Sequence, residues 1–323
     1  MSPIRYGKRA ESMESKGAVP RSAARRWISS DFLSRFLAAA MACAAFWAPA
    51  ALADLNDLRF QLAADATYDD NVSRAGKSTK LYDSFGTLNL DARLPWSLSE
   101  TSRLVLEANV GGDKYRNYSG LNRVYANLQG ELQYRNSGQF SEPIWGVFVR
   151  QGEDWYDSTL RDGYRTSAGL SVRKPLTDKL FLFSALAYNQ RDGRSTVFDT
   201  KEVSLRANLD YSLSRRQTLY FGLEGRDGDI VSTAPPNLAY FDIANAVVRD
   251  DVFTDPPRLS YRIKAYTGIA TFGYNFALGE QAALDLSCRA AYSRPHDQPP
   301  SAVTTDTIDY VDYQVTVSIL IRF

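Results

Sequence analysis

The sequence is poor in the residues on which most metal and redox chemistry depends. It has one histidine, His296, and two cysteines, of which only Cys288 lies beyond the first 53 residues. A lone cysteine excludes an intrachain disulfide in that part of the chain, and one histidine with one cysteine excludes a zinc site built from these residues. We therefore expect no cofactor and no bound metal.

Long apolar runs and excess positive charge are also missing. Beyond residue 53 there is no run of about 18 apolar residues, which excludes a membrane-spanning helix there. The first 53 residues hold eight basic and three acidic side chains, so 30 basic and 34 acidic ones remain, a net charge of about −4. That balance provides no basic surface for nucleic acid. Phosphate-binding glycine loops and G-x-S-x-G motifs are absent as well, and we expect no enzymatic activity.

The N-terminal segment has the pattern of an export signal. Arginines precede an apolar run over 36–52, and Ala51–Ala53 forms an A-x-A cleavage site. We predict that residues 1–53 are a signal peptide cleaved near Ala53, and that residues 54–323 form one exported domain.

The stretch from Asp309 to Phe323 shows the clearest periodicity. Every second residue counted back from Phe323 is apolar or aromatic, and all but one of the residues between them are polar. A period of two indicates a strand with one apolar face, long enough to cross a bilayer at a tilt. The stretch resembles the closing strand of a bacterial outer-membrane β-barrel, in which a terminal aromatic residue, here Phe323, is expected to be the assembly signal. A half-buried strand of a soluble sandwich is the alternative.

The same alternation recurs through the chain and predicts about twelve strands. Short connections lie near residues 95, 136, 174, 214 and 277, and longer ones near 69, 113, 152, 190, 226 and 294. Short turns on one side and long loops on the other are typical of an up-and-down transmembrane antiparallel β-barrel, with short periplasmic turns and long extracellular loops. This all-β fold class is our prediction.

Several segments are less regular. The faces of strands near 144–150 and 180–188 cannot be assigned, and a bulge is expected near Ala265–Tyr266, where the apolar phase changes. The longest connection, 226–258, carries an apolar patch that either enters the barrel mouth or contacts a partner, or else packs on neighbouring loops. Asp69–Asn71 and Asp227–Asp229 are weak Ca²⁺ candidates, with ordinary loop polarity as the alternative.

Aromatic residues are expected to form two rings at the membrane interfaces, with ordinary strand preference for aromatics as the alternative. The loop-side ring comprises Tyr68, Tyr82, Tyr164, Tyr188, Tyr292 and Tyr310, and the turn-side ring comprises Trp96, Tyr134, Trp145, Tyr211, Phe276 and Phe323.

The polar face of the strands must point into the barrel if the apolar face meets lipid. We predict that the following charged residues line a lumen: Arg59, Asp65, Asp91, Arg93, Arg103, Glu107, Glu131, Arg165, Arg173, Arg206, Asp210, Glu224, Asp285, Arg289, Asp312 and Arg322. Arg262 and Lys264 are assigned to the same face. These charges either line a narrow water-filled pore or pair across the lumen and fill it, and twelve strands are compatible with both.

Tyr68–Val72 reads YDDNV. It resembles the Y-x-D-N-V opening of a group of porin-type barrels of Gram-negative bacteria, some associated with exopolysaccharide export; a similar opening occurs in barrels that help surface lipoproteins cross. The expected function is a passive channel for small polar solutes or glycan segments. The alternatives are a non-conducting accessory barrel that binds a partner through its loops, and a barrel enzyme using His296–Asp297. Outer-membrane lipid and the assembly machinery are the expected partners, and a polysaccharide or secretion partner is unidentified.

Overall fold

The computed structural model describes residues 57–137, 139–299 and 308–323, so the predicted signal peptide lies outside the described residues. Within these residues the chain forms thirteen strands and one short α-helix. Their bounds are β1 Arg59–Asp69, β2 Asp83–Ser97, β3 Ser102–Tyr115, β4 Arg123–Arg135, β5 Ile144–Tyr156, β6 Gly163–Pro175, β7 Leu180–Gly193, β8 Thr200–Ser214, β9 Gln217–Ala234, α1 Leu238–Ile243, β10 Ala246–Thr254, β11 Pro257–Ala277, β12 Ala282–Pro295 and β13 Tyr310–Arg322. Among the described residues, no helix is long and apolar enough to cross a membrane.

Twelve of the strands form a closed antiparallel barrel, which confirms the predicted fold class. Each strand from β1 to β8 pairs with the next, β9 pairs with β11, β11 with β12, β12 with β13, and β13 with β1 to close the ring. The remaining strand, β10, pairs only with the first part of β11 and stands outside the ring. Closure leaves no unpaired sheet edge, as a sheet in hydrocarbon requires.

Strand β13 shows why the alternating sequence forms this wall. Val315, Val317 and Ile319 are about half exposed on the outer face, whereas Ser318 is buried on the inner face. On β1, Ala64 is paired with Ile319 and Asp65 with Ser318, so the apolar faces of neighbouring strands coincide. A shift of one residue would turn every side chain to the opposite face, so this pattern fixes the register.

Several predicted boundaries are wrong because the strands are longer than the apolar pattern suggested. Pro95 and Trp96 belong to β2 rather than to a turn, and β5 continues to Tyr156 through a stretch predicted as loop. The predicted connection 226–258 consists mainly of strand: the end of β9, the helix α1 and the hairpin of β10 and β11. The strands continue beyond the membrane. There the outer face of the wall meets water, so its residues need not be apolar.

Three assignments near β11 also need correction. The expected bulge at Ala265–Tyr266 is absent, because β9 and β11 pair without a register shift from Leu259 to Phe276. Arg262 and Lys264 lie on the outer face with Tyr266, and Arg262 donates to the backbone oxygens of the connection between β7 and β8. The apolar phase changes here because Ile263 and Ala265 pack inside the barrel mouth.

The aromatic side chains follow the prediction at the extracellular end with one exception. Tyr68, Tyr164, Tyr188 and Tyr292 are exposed on the outer face near the ends of their strands. Tyr310, assigned to the same ring, is instead buried at the mouth on the inner face. The unclear register of β7 is settled by its pairing: Phe183 lies opposite Arg173 on the inner face.

Candidate functional site

The interior of the barrel encloses a cavity of about 790 Å³. Its wall comes from β3 through β9 and from β11, β12 and β13, and residues 72–74 of the connection between β1 and β2 also reach it. Most of the lining side chains are polar or charged, with phenylalanines and tyrosines between them. Because this cavity lies inside the ring and is lined mainly by polar and charged groups, it is the candidate functional site.

The pairing register places all sixteen predicted lumen residues on the inner face of the ring. The residues of this set that line the cavity are Glu107, Glu131, Arg165, Arg173, Arg206, Glu224, Arg289 and Asp312. Those on the same face outside the cavity are Arg59, Asp65, Asp91, Arg93, Arg103, Asp210, Asp285 and Arg322. Any role of these residues in solute passage is a separate proposal.

Many of the inner charges form ion pairs along the wall. Asp154 on β5 is 1% exposed and lies near three guanidinium groups: Arg165 at 2.9 Å, Arg123 at 3.6 Å and Arg191 at 3.8 Å. These pairs join β4, β5, β6 and β7 at one level. In the sequence, Asp154 and Arg123 each alternate with outward apolar residues. Asp154 was nevertheless not predicted as a lumen residue, because the faces of β5 were too irregular to assign.

Glu131 forms a second polar network on β4. It is 1% exposed and accepts hydrogen bonds from Arg173 at 2.7 Å, Ser171 at 2.6 Å and Gln133 at 2.8 Å. Gly146 on β5 leaves the space that this network occupies, because a Cβ atom there would lie 2.4 Å from a Glu131 carboxylate oxygen. The network holds this part of the wall together, and it pairs the charge of Glu131 with that of Arg173.

Two of the strand arginines that line the cavity differ from these, because no carboxylate of the described residues lies within 4 Å of them. Arg150 on β5 donates through Nε to Gln129, and Arg206 on β8 lies over the Phe183 ring. Inner carboxylates without a basic partner within 4 Å include Asp91, which is hydrogen-bonded by Asn109, Asp285, which is hydrogen-bonded by Tyr220, and Asp210 on β8.

Inner charges of both signs lie on both sides of the barrel. In the twelve-strand ring, β5 to β8 lie opposite the arc formed by β12, β13, β1 and β2. Arg150, Arg206 and Asp210 stand on the first arc, and Asp65, Asp91, Asp285, Arg59 and Arg322 stand on the second. Both walls therefore present positive and negative groups to the lumen.

The connection between β1 and β2, residues 70–82, turns into the barrel mouth; we call it the inserted loop. Asn71 is 1% exposed and holds the loop with four hydrogen bonds. Its Nδ2 donates to the backbone oxygens of Ala75 at 2.9 Å and Val311 at 3.0 Å, and its Oδ1 accepts from Ser73 Oγ and Ala75 N at 3.1 Å each. The asparagine of the YDDNV motif thus ties the inserted loop to the closing strand.

Arg74 at the tip of this loop was not predicted as a site residue. Its φ of 50° is in the left-handed region, which non-glycine residues seldom adopt. Its side chain is exposed to the cavity and interacts electrostatically with Tyr156 of β5 and Asp312 of β13, strands on opposite sides of the ring. Its guanidinium group therefore lies within the lumen rather than against one wall.

The environment of Arg74 favours its charged form. Enclosure by the wall lowers the pKa of Arg74, and the nearby Tyr310, Asp312 and Asp69 raise it by more, so that its pKa lies above the ordinary value. The sequence placed Arg74 in a polar loop without periodicity, and no local signal distinguishes a loop that enters a barrel from one that does not.

An apolar cluster supports the inserted loop from the extracellular side. Ala75 packs with inward residues of β9 and β11 and with Tyr240 of α1, whose hydroxyl accepts a hydrogen bond from Gly76 N at 3.3 Å. Asn237 caps α1 by accepting from Ala239 N at 2.9 Å. The apolar patch of the predicted connection 226–258 therefore backs the loop that enters the mouth.

A buried ion pair joins the neighbouring loops to β10. Arg161, between β5 and β6, pairs with Asp250, which also accepts a hydrogen bond from Ser260. Burial raises the pKa of Asp250, while Arg161 and Ser260 lower it by more, so its pKa lies below the ordinary value. The pair lies outside the membrane-spanning part of the barrel.

The predicted cation ligands have partners from the chain itself. Asp69, Asp70 and Asp312 come within 4.8 Å of one another, but Lys80 pairs with Asp70 at 2.7 Å and Arg289 with Asp312 at 3.2 Å. Two of the three carboxylates therefore already have a cationic side chain as partner. Asp227 and Asp229 lie on the outer face of β9.

His296 lies on the outer surface, away from the cavity. Its Nε2 is 3.0 Å from Asp227 Oδ1, and its ring lies on that of Tyr266. Its carboxylate partner is therefore Asp227 rather than Asp297, its neighbour in sequence. No serine hydroxyl or cysteine thiol is bonded to His296 in the described part of the chain, so the pair forms no nucleophilic triad there.

No family model and no curated protein matches the sequence. Among solved structures, the chain is similar to an outer membrane channel from Pseudomonas putida F1, with 11% identity and a TM-score of 0.51 over 82% of this chain and 95% of that one. It is also similar to the KdgM porin, with 12% identity and a TM-score of 0.41 over 81% and 99% of the two chains, and to the NanC porin, with 10% identity and a TM-score of 0.40 over 80% and 98%. At these identities the similarity establishes the fold, which is that of an outer-membrane β-barrel.

Proposed function

We propose that the protein is an outer-membrane channel for the passive passage of small polar solutes or glycan segments. The observation that carries this proposal is the charged cavity of about 790 Å³ inside the closed ring, with Arg150 and Arg206 on its wall and no carboxylate of the described residues within 4 Å of either. A purely structural barrel gains nothing from unpaired lumenal charges, because each costs desolvation energy without a partner. A channel uses them to orient and select solutes.

The inserted loop and the charged cavity wall would act in sequence on a solute. Arg74 narrows the mouth and presents a charge to what enters, and Arg150 and Arg206 lie on the wall of the cavity. The expected assembly route, with Phe323 as the signal and the outer-membrane assembly machinery as partner, belongs to the same proposal. Phe323 is consistent with that role because it stacks on Phe60 at 5.8 Å where the ring closes.

Single-channel recording in planar bilayers tests this function. The purified barrel is expected to give discrete conductance steps in KCl. Neutralising a lumenal charge should change the chloride-to-potassium permeability ratio up to about fivefold, since a unit charge about 8 Å away contributes roughly 0.5 kcal/mol in a water-like dielectric, with opposite sign for the two ions. Arg206→Gln is expected to lower the ratio and Asp91→Asn to raise it.

Arg215→Gln is the matched control, because Arg215 is exposed in the turn between β8 and β9. It removes the same charge outside the lumen and should leave the ratio unchanged. A folded barrel that never conducts would reject the channel and favour an accessory barrel that binds a partner through its loops.

A further inference from the structure

The ribbon formed by β9 and β11 continues on the extracellular side after its neighbours in the ring have ended. The last pairing of β8 is Glu202 with Gly228, and the last pairing of β12 is Pro295 with Ala265. The end of β9, α1, β10 and the start of β11 lie beyond these pairs. We call this segment, residues 229–264, the lid.

The lid crosses the mouth of the barrel. In the twelve-strand ring, β3 and β4 stand opposite β9 and β11, from which the lid arises. The ring of Phe253 in the lid nevertheless lies 4.8 Å from that of Tyr118, in the connection between β3 and β4. Phe253 and Thr233 also line the cavity, so the lid forms part of its roof.

One face of the lid makes an apolar contact with the inserted loop. Tyr261 and Ile263 of the lid are buried in one cluster with Ala75 of that loop. Ser232 on β9 is fully buried on the same side, and its hydroxyl donates to Arg74 O at 2.7 Å. The inserted loop and this face of the lid therefore pack as one unit.

The opposite face makes a polar contact with the connection between β5 and β6. Arg161 pairs with Asp250, and Ser158 Oγ donates to Asp251 Oδ1 at 2.6 Å. Thr233, the residue after Ser232, points to this side, because its hydroxyl donates to Asp250 Oδ2 at 3.4 Å. We call the contact of Ser158 and Arg161 with Asp250 and Asp251 the polar seam.

The polar seam should part at a lower cost than the apolar contact. A buried ion pair such as Arg161 with Asp250 contributes little net stability, because both ions regain hydration when they separate. Asp250 also keeps hydrogen bonds from within the lid, from Ser260 and from Val252 N at 2.8 Å. Separating the apolar contact would instead expose hydrocarbon to water, at about 25 cal/mol per Å².

Glycines lie where the lid leaves the ring. Gly228 has a φ of 153°, which residues with a side chain rarely adopt, and a Cβ atom there would collide with the backbone oxygen of Lys201. Three residues earlier on β9, Gly225 is paired with Gly268 of β11. Backbone without side chains accommodates changes in φ and ψ most easily, so this level of the ribbon is suited to be a hinge.

We propose that the lid is the gate of the barrel: it parts from the connection between β5 and β6 at the polar seam and keeps its apolar contact with the inserted loop. The movement would turn about Gly228 and open the cavity along the wall of β5 to β8. This inference rests on the proposed channel and describes how its mouth opens.

Maleimide labelling of the full barrel in detergent tests the movement without relying on conductance. Cys288 is exposed and is first replaced by serine. Thr233→Cys and Ser232→Cys are then compared in that background, since both positions are buried and they lie on opposite faces of the lid. Thr233→Cys should react at least about tenfold faster, because parting of the seam uncovers it alone. Equal rates, or no reaction of Thr233→Cys in the folded barrel, would overturn the proposal.

A further substitution links the labelling to the seam. Arg161→Gln should speed the labelling of Thr233→Cys roughly tenfold, since Asp250 loses a charged partner that it has only in the closed lid. Arg215→Gln, which removes an exposed turn arginine, should leave the rate unchanged. A rate that does not respond to Arg161→Gln would contradict a gate at this seam.

Reversible crosslinking connects the lid to conductance. Ser158→Cys and Asp251→Cys, joined by a short bis-methanethiosulfonate reagent, should abolish KCl conductance until a reductant cleaves the link. Thr79→Cys with Arg258→Cys is the matched control, because Arg258 donates to Thr79 O at 2.6 Å and this link ties the lid to the inserted loop instead. Conductance in the control pair should not change when the link forms.

The outcomes separate the gate from the channel. A barrel that conducts equally well with the polar seam crosslinked would retain the channel function and lose the gate. A barrel in which Thr233→Cys reacts faster and responds to Arg161→Gln, but which never conducts, would retain the lid movement and reject the channel.

Discussion

Substituting Asn71 by alanine should release the inserted loop from the barrel mouth. The side chain is buried, and it links the loop both to itself through Ala75 and to the closing strand through Val311. Alanine keeps the backbone conformation accessible and removes only these links. Arg74 should then leave the lumen for part of the time, and the channel should widen.

The expected cost follows from the four hydrogen bonds that Asn71 makes. At about 1 kcal/mol each, their loss weakens the closed position of the loop by roughly 4 kcal/mol, a factor near 10³ in the closed-to-open ratio. The remaining anchors reduce opening: Thr233 N donates to Ser73 O at 2.9 Å, and Arg258 donates to Thr79 O at 2.6 Å. We therefore expect intermittent opening rather than complete release.

Two measurements detect the change. Single-channel records of Asn71→Ala should show a higher open conductance with frequent transitions to the parent level. Trypsin should cut the variant after Arg74 or Lys77 faster than the parent, because a released loop exposes both bonds. Heat-dependent mobility on gels should show that the barrel itself remains folded.

The matched control is Asn136→Ala, since Asn136 is exposed in the turn after β4. It should leave both conductance and proteolysis unchanged. If Asn71→Ala gave the parent conductance and the parent rate of cleavage, then the asparagine would not hold the loop, and the structural account of the YDDNV motif would be wrong.

Four further predictions concern charge, folding and pH. Arg74→Gln should lower the chloride-to-potassium permeability ratio without loosening the loop, as reversal potentials and trypsin cleavage will show. Glu131→Gln should destabilise the folded barrel by about 3 kcal/mol, because Arg173 loses its charged partner, and urea unfolding in detergent measures this. Phe323→Ala should reduce the folded fraction in the outer membrane, with Phe140→Ala, in an exposed turn, as control. Folding lowers the pKa of the Asp250 carboxyl group. Its contribution to stability is therefore complete above the ordinary aspartate pKa and is lost as the pH falls through the lowered value. On acidification, the thermal midpoint of unfolding should fall more in the parent than in Asp250→Asn.

The lumen combines two uses of charge. Paired charges such as Glu131 with Arg173 connect neighbouring strands and keep the wall rigid. Other inner charges, such as Arg150 and Asp91, have no partner of opposite charge within 4 Å and face the interior. The first group fills part of the lumen, and the second is the group to which we assign the proposed selectivity.

Some features were predicted less well because their cause is not periodic. The end of β9 and the start of β11 lie outside the membrane, where the outer face carries Asp229 and Lys264 rather than apolar residues. The alternation therefore fades although the strands continue. Arg150 and Asp154 on β5 were missed because phenylalanine and glycine occupy other inner positions of that strand.

The sequence by itself determined most of the strands, their number in the ring and the inner face of the sixteen predicted lumen residues. These follow from a period of two, which is a local property of the chain and is imposed by lipid on one side of a closed sheet. Only the tertiary structure decided that β10 stands outside the ring, that residues 70–82 enter the mouth, and that Arg262 and Lys264 lie on the outer face. Those features depend on which distant segments of the chain meet when the ring closes. Periodicity is a local property, so it does not show which residues far apart in the sequence come into contact.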